Sequence, residues 1–168
     1  FLSAGGVMHS MGDVIDMRRF GGLRRALPVT HLTFLCGALA LAGFPLASGF
    51  WSKDEILAAV AAATHGPAVY AQYFQVLQIA AVATALLTAF YTFRAYFLTF
   101  WGEERFPAEA GDHPHESPLV MRVPLLVLAV FALGVGALVG PTGFFGQYLA
   151  QTRGLTLGEE HAVAWMPV

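Results

Sequence analysis

Charge is missing from three long stretches of this 168-residue chain. No Lys, Arg, Asp or Glu falls between Arg25 and Lys53, between Glu55 and Arg94, or between Arg122 and Arg153. The runs hold 27, 38 and 30 residues, and each exceeds the roughly 18 apolar residues of a candidate transmembrane helix. The chain is 57% hydrophobic and 12% charged, about half the charge of an ordinary soluble domain. That excludes a typical cytosolic enzyme, and Leu, Ala, Val and Phe are too abundant for disorder. A net charge of −2 offers nucleic acid no electrostatic footprint. The single cysteine, Cys36, lies in an apolar run, so neither a disulfide framework nor a cysteine metal cluster is available. The expected fold class is all-α: a polytopic transmembrane helix bundle lying in a lipid bilayer.

Polar punctuation divides the chain. Residues 1–12 have no basic start, so they are not a signal peptide; they read as the end of a transmembrane helix that begins upstream. Residues 13–27 form a loop with four arginines and the Gly21-Gly22 turn. A discontinuous transmembrane helix over 28–64 follows, then a transmembrane helix over 69–101. Residues 102–122 form a polar loop, 123–140 a third transmembrane helix, and 141–168 a tail of uncertain structure. Six of the nine basic residues fall in the two loops at 13–27 and 102–122. The positive-inside rule then puts both loops in the cytoplasm. A composition rich in Ala, Gly and Arg suits a multi-pass protein of the bacterial inner membrane.

The stretch from Leu27 to Thr64 is the informative one. As one straight helix it would rise about 57 Å, nearly twice a ~30 Å hydrocarbon core. Pro45 removes a backbone donor, and Gly43 and Gly49 permit a bend, so the helix is expected to break around Pro45–Glu55. Ser52-x-x-Glu55 matches a capping box, the signature of a new helix start. On that reading Ser52 is the N-cap and Lys53 the first helical residue. The positive helix end and burial would both disfavour its charged form, which suits a proton relay. Asp54 points about 100° away round the helix and reads as a relay partner. The competing reading is a surface loop, since 25 residues separate Pro28 from Lys53, enough to cross.

Other polar groups have plainer explanations. Arg94 sits near a helix end among Phe90, Tyr91, Phe93, Tyr96, Phe97, Phe100 and Trp101, as a snorkelling anchor in an aromatic belt would; a minor relay role is the alternative. His31 reads as a packing residue, or as a group on a polar path. His113-Pro114-His115 lacks a third metal ligand, and no metal site is expected. Gly136-x-x-x-Gly140 permits close helix approach. No dinucleotide fingerprint, phosphate loop, zinc helix or cluster-binding cysteine set occurs.

Three motifs together carry a resemblance. The run Asp16-Met17-Arg18-Arg19-Phe20-Gly21-Gly22-Leu23-Arg24-Arg25 is the first, and Ala40-Leu41-Ala42-Gly43-Phe44-Pro45 the second. The third is Ser48-Gly49-Phe50-Trp51-Ser52-Lys53-Asp54-Glu55-Ile56-Leu57. With Thr88 to Arg94, Phe97 to Glu103 and His115-Glu116-Ser117-Pro118, they resemble the antiporter-like L subunits of proton-pumping NADH:quinone oxidoreductase, respiratory complex I. The resemblance covers most of residues 1–125 and implies that this chain is part of a longer subunit. It implies helices broken within the membrane, with Lys53 and Asp54 on the proton path. It implies that NADH, FMN, iron–sulfur clusters and quinone are bound by other subunits, and that the partners are other membrane-arm subunits. A sodium/proton antiporter subunit and a passive membrane scaffold are the alternatives.

Overall fold

The structure, a computed structural model, describes residues 1–65, 68–111 and 115–143. Five α-helices follow in chain order: α1 Leu2–Ser10, α2 Pro28–Ala42, α3 Ser48–Ala63, α4 Ala68–Phe100 and α5 Leu119–Val139. Short 3-10 turns lie at Ala108–Ala110 and Gly140–Thr142. Among the described residues the only β-type pairing is one bridge, between Gly21 and Arg105. His113 and most of the 141–168 tail lie outside the described residues.

Tyr70–Phe100 and Leu119–Thr142 are long and apolar enough to cross a membrane, yet only 6% and 11% of their most apolar windows are buried. The core helix of a soluble domain would be mostly covered. Here Tyr73, Ile79, Leu86 and Phe90 on α4, and Val120, Val130 and Leu138 on α5, stand exposed, as side chains facing lipid do. This is a membrane helix bundle. Pro124 interrupts the hydrogen-bond ladder of α5 near its start, a lesion that membrane helices tolerate. The two shorter helices α2 and α3 both pack against α4 and against α5. Together they do the work of one broken helix beside a 33-residue one that rises about 50 Å.

The buried core sits at the loop end of the bundle. Val7 from α1 and Met11 just after it, Phe20, Leu23 and Leu27 from the 13–27 loop, and Tyr96 and Phe100 from α4 form one cluster. The loop is thus polar only on its outer side: Arg18, Arg19, Arg24 and Arg25 are exposed while Phe20 and Leu23 anchor it. Its backbone has a further task. The amides of Gly22, Leu23 and Arg24 donate to the carbonyls of Trp101, Thr99 and Phe100, and Gly21 exchanges two bonds with Arg105. These are the carbonyls that the end of α4 would otherwise leave unpaired. Gly22 is needed because its φ is +68° and a Cβ there would lie 2.9 Å from the Glu104 backbone.

The second loop is tied to the first. Arg19 donates to both carboxylate oxygens of Glu109 at 2.8 and 2.9 Å. That hydrogen bond, helped by a backbone N–H, holds the Glu109 carboxyl below its ordinary range. The tie therefore acts at and above that ordinary range and is lost as pH falls through the lowered value. Gly22→Ala should destabilise the loop end by about 1–3 kcal/mol, read as a lower Tm of the purified protein in detergent. An unchanged Tm would mean that the positive φ is not required.

Candidate functional site

The break runs from Gly43 to Ala47, at the N-terminal side of the expected region. Gly43 closes α2 in the left-handed conformation, with φ 80°. Its amide donates to Ala40 and that of Phe44 to Leu39, which answers two of the last carbonyls of α2. Pro45 follows, then Leu46 at φ 74°, a conformation costly for a branched side chain. Ala47 is extended and almost fully buried, against the backbone of α5 at Gly136.

The capping box does not form. α3 starts at Ser48, with Ala47 in the cap position and no side-chain cap bond. Once Leu46 has turned the chain, nothing delays the helix until Ser52. Ser52 lies in the second turn, where its hydroxyl donates back to the Gly49 carbonyl at 3.3 Å, and Glu55 is exposed. Lys53 is the sixth residue of α3 rather than the first, beyond the turn where a helix end exerts its field.

Lys53 instead meets the other helix end. Its Nζ donates to the carbonyl oxygen of Leu41 at 2.6 Å, in the last turn of α2, where carbonyls lack partners and a cation is stabilised. The field on the ammonium is thus opposite in sign to the one a capping box would supply. Two glycines allow the approach. Gly49 lies so close to Ala40 that a Cβ would collide with its carbonyl. A Cβ on Gly43 would lie 3.2 Å from Lys53 Cδ. Asp54 is half-buried and makes no ion pair among the described residues.

The remaining candidates lie elsewhere. His31, near the start of α2, meets the Tyr96 hydroxyl through Nε2 at 2.7 Å and stacks on that ring. It is held in the aromatic core at the loop end. Arg94 is exposed on α4. The aromatic residues around it divide: Tyr96 and Phe100 belong to the core, while Phe97 and Trp101 are exposed. The cation over Trp101 is Arg24, at 4.4 Å. Among the described residues no cluster of His, Cys, Asp or Glu could hold a metal. A groove of about 680 Å³ between α1, α2 and α5 is lined by Ser3, Thr33, Ser48 and apolar residues, with no titratable side chain. That groove offers no side chain that could carry a proton.

One charged residue, named in the sequence only as part of the His115–Pro118 motif, was given no role there. Glu116 accepts from Val29 N–H at 2.8 Å, Thr30 N–H at 3.1 Å and the Thr30 hydroxyl at 2.5 Å. It caps the N-terminus of α2 from 86 residues away. Beside it, the buried Ser117 hydroxyl donates to the Gly6 carbonyl of α1. The available signal was negative: Leu27-Pro28 opens a helix with no Ser, Thr, Asp or Asn at the cap, so an acceptor had to come from another segment.

Comparison with known proteins gives a consistent picture. Residues 1–78 match the family described as NADH:quinone oxidoreductase/Mrp antiporter, TM. The chain is 44% identical to the NAD(P)H-quinone oxidoreductase chain 5 of a Picosynechococcus strain, over 85% of this chain and 24% of that protein. It is 41% identical to NADH-quinone oxidoreductase subunit L of Mycobacterium tuberculosis, over 97% of this chain and 24% of that protein. It is 42% identical to F(420)H(2) dehydrogenase subunit L of Methanosarcina mazei, over 90% and 22%. The chain thus spans about a quarter of the length of the curated relatives it matches.

Gly49→Ala should push α3 off the last turn of α2 and separate Lys53 from Leu41. Overpacking of this kind costs about 1–3 kcal/mol, measured as a lower Tm, and the freed amine should react faster with a membrane-permeant acylating reagent. Wild-type Tm and reactivity would refute the role given to Gly49.

Proposed function

We propose that this chain, whose residues 1–78 match the NADH:quinone oxidoreductase/Mrp antiporter transmembrane family, forms part of the proton path of a proton-translocating NADH:quinone oxidoreductase. The observation that carries this reading is the Lys53 ammonium on the Leu41 carbonyl at a helix break. Discontinuous membrane helices use such ends to hold ions.

The depth of the ammonium follows from its partner rather than from residue counting. Leu41 lies thirteen residues beyond Pro28, about 20 Å along a helix. If Pro28 marks the near edge of a ~30 Å core, the ammonium is still within it. The reach of Lys53 back to α2 thus supports the intramembrane reading against the surface loop. In the proposed relay, Lys53 holds a proton while it caps α2. On giving the proton up it loses the charge that binds it to Leu41, and its flexible stem can turn toward the donor of the next proton. Asp54, adjacent and half-buried, serves as the relay partner and sets the local field. His31 and Arg94 take no part: one is bonded within the aromatic core, the other anchors α4 at the interface.

Electron transfer belongs elsewhere in this reading. One cysteine cannot ligate an iron–sulfur cluster, and the family resemblance assigns the clusters, FMN, NADH and quinone to other subunits, with other membrane-arm subunits as partners. The relatives support this division. Their names carry three different electron donors, NAD(P)H, NADH and F(420)H(2), while identity to this chain stays at 41–44%. A segment so similar across different donors suits a task that none of the donors touches. The basic loops at 13–27 and 102–122 face the cytoplasm of a bacterial cell, with the bundle in the inner membrane.

The test is proton pumping per NADH oxidised in inverted membrane vesicles, with the full-length protein carrying Lys53→Ala or Lys53→Arg and assembly verified. Both variants should lower the ratio severalfold, because arginine keeps the charge but does not release its proton. An unchanged ratio in Lys53→Ala rejects the relay. Sodium/proton exchange that depends on Lys53 without NADH oxidation would transfer the reading to the antiporter branch.

A further inference from the structure

Helix α2 is held at both ends by full charges borrowed from other segments. At its N-terminus the Glu116 carboxylate takes the amides of Val29 and Thr30 and the Thr30 hydroxyl. At its C-terminus Lys53 takes the carbonyl of Leu41. Each charge has the sign that its helix end favours. Neither contact is local, since 86 residues separate Thr30 from Glu116 and 12 separate Leu41 from Lys53.

Glu116 also stands on a firm base. Its neighbour Ser117 is 1% exposed and bonds both to the Gly6 carbonyl of α1 and to the Ser10 hydroxyl. Pro118 then caps α5. The residue that grips α2 is therefore fixed to two other helices. A helix is stiff along its axis, so the grip at Thr30 sets the position of Leu41.

We propose that Glu116 is a positioning residue for Lys53: its carboxylate fixes the depth of α2, and thereby presents the Leu41 carbonyl to the ammonium. This rests on the relay reading of Lys53 for its functional consequence, but not for its structural one. The charge matters as well as the shape, because an anion at a helix N-terminus binds the free amides more strongly than a neutral acceptor.

The experiment uses the assembled full-length protein with Glu116→Ala, Glu116→Gln, Lys53→Ala and the Glu116→Ala/Lys53→Ala double variant. The first readout is protons pumped per NADH oxidised. The second is the rate at which Cys36, a half-buried residue on α2, reacts with a membrane-permeant maleimide, followed on its own peptide by mass spectrometry. Glu116→Ala should lower the pumping ratio and speed Cys36 labelling. Glu116→Gln, which keeps the shape, should change both in the same direction by a factor of about 2–5. The double variant should pump no worse than Lys53→Ala alone, since Glu116 acts through Lys53; a general structural defect would add to it.

If Lys53→Ala reduces pumping while Glu116→Gln leaves both readouts at wild-type values, the inference fails and the relay reading stands. A double variant clearly worse than Lys53→Ala also overturns it. If Lys53→Ala has no effect on pumping, the relay reading falls. Cys36 labelling in Glu116→Gln then decides alone: faster labelling upholds the grip on α2, and an unchanged rate removes it.

Discussion

A helix that stops among apolar side chains leaves carbonyls with nothing to bond, and in this bundle one lysine answers that need. α2 ends at Ala42 and is less than half as long as its neighbour α4. Two of its last carbonyls are closed by the turn itself, through Gly43 and Phe44. The carbonyl of Leu41 goes to Lys53. An unsatisfied carbonyl in such surroundings costs several kcal/mol, and so does an unpaired ammonium. Bringing the two together answers the carbonyl and offsets part of the cost of the ammonium. The contact needs α3 to fold back on α2 after the turn at Leu46, and the glycines at the crossing admit it.

Small residues make the contact possible. Gly49 lets α3 lie on Ala40, and Gly136 and Gly140 let α5 close over the break and over Trp51. Gly136-x-x-x-Gly140 is thus a close-approach stripe, but its partner is the break itself rather than a straight helix. The left-handed turn at Leu46 has its backbone oxygen against the site of a Gly136 side chain. Packing from α5 is what holds a conformation that leucine would avoid by itself.

The helices were legible because absence of charge is a strong signal over 27 residues or more. The break was legible too, since Gly43 and Pro45 cannot continue a helix unaided. Where α3 begins was not. Ser52-x-x-Glu55 has the sequence of a capping box, yet a helix starts as soon as the backbone permits, and the turn at Leu46 freed it five residues earlier. Nothing in the residue pattern records the φ of Leu46, which tertiary packing imposes. The error reversed the expected field on Lys53, from the positive end of α3 to the negative end of α2. Glu116 was missed for a related reason: its partners are 86 and 87 residues away, and local pattern reading stops at the next turn. The buried half of the 13–27 loop was hidden by its arginines, which drew attention from Phe20 and Leu23 between them.

The distribution of partners among the charged groups separates structure from chemistry. At the loop end Arg19 is tied to Glu109, Arg24 lies over Trp101, His31 is bonded to Tyr96 and Glu116 is saturated by three donors on α2. Each of these groups holds two segments together, and losing its proton or charge would loosen the fold. Lys53 is different. It has three N–H donors and one carbonyl partner on α2, and no carboxylate pairs with it among the described residues. A lysine held by a single neutral acceptor gives up one hydrogen bond when it lets go. On the proposed reading, that is what a group that must both hold and pass a proton requires, and in this chain it occurs where the helix is broken.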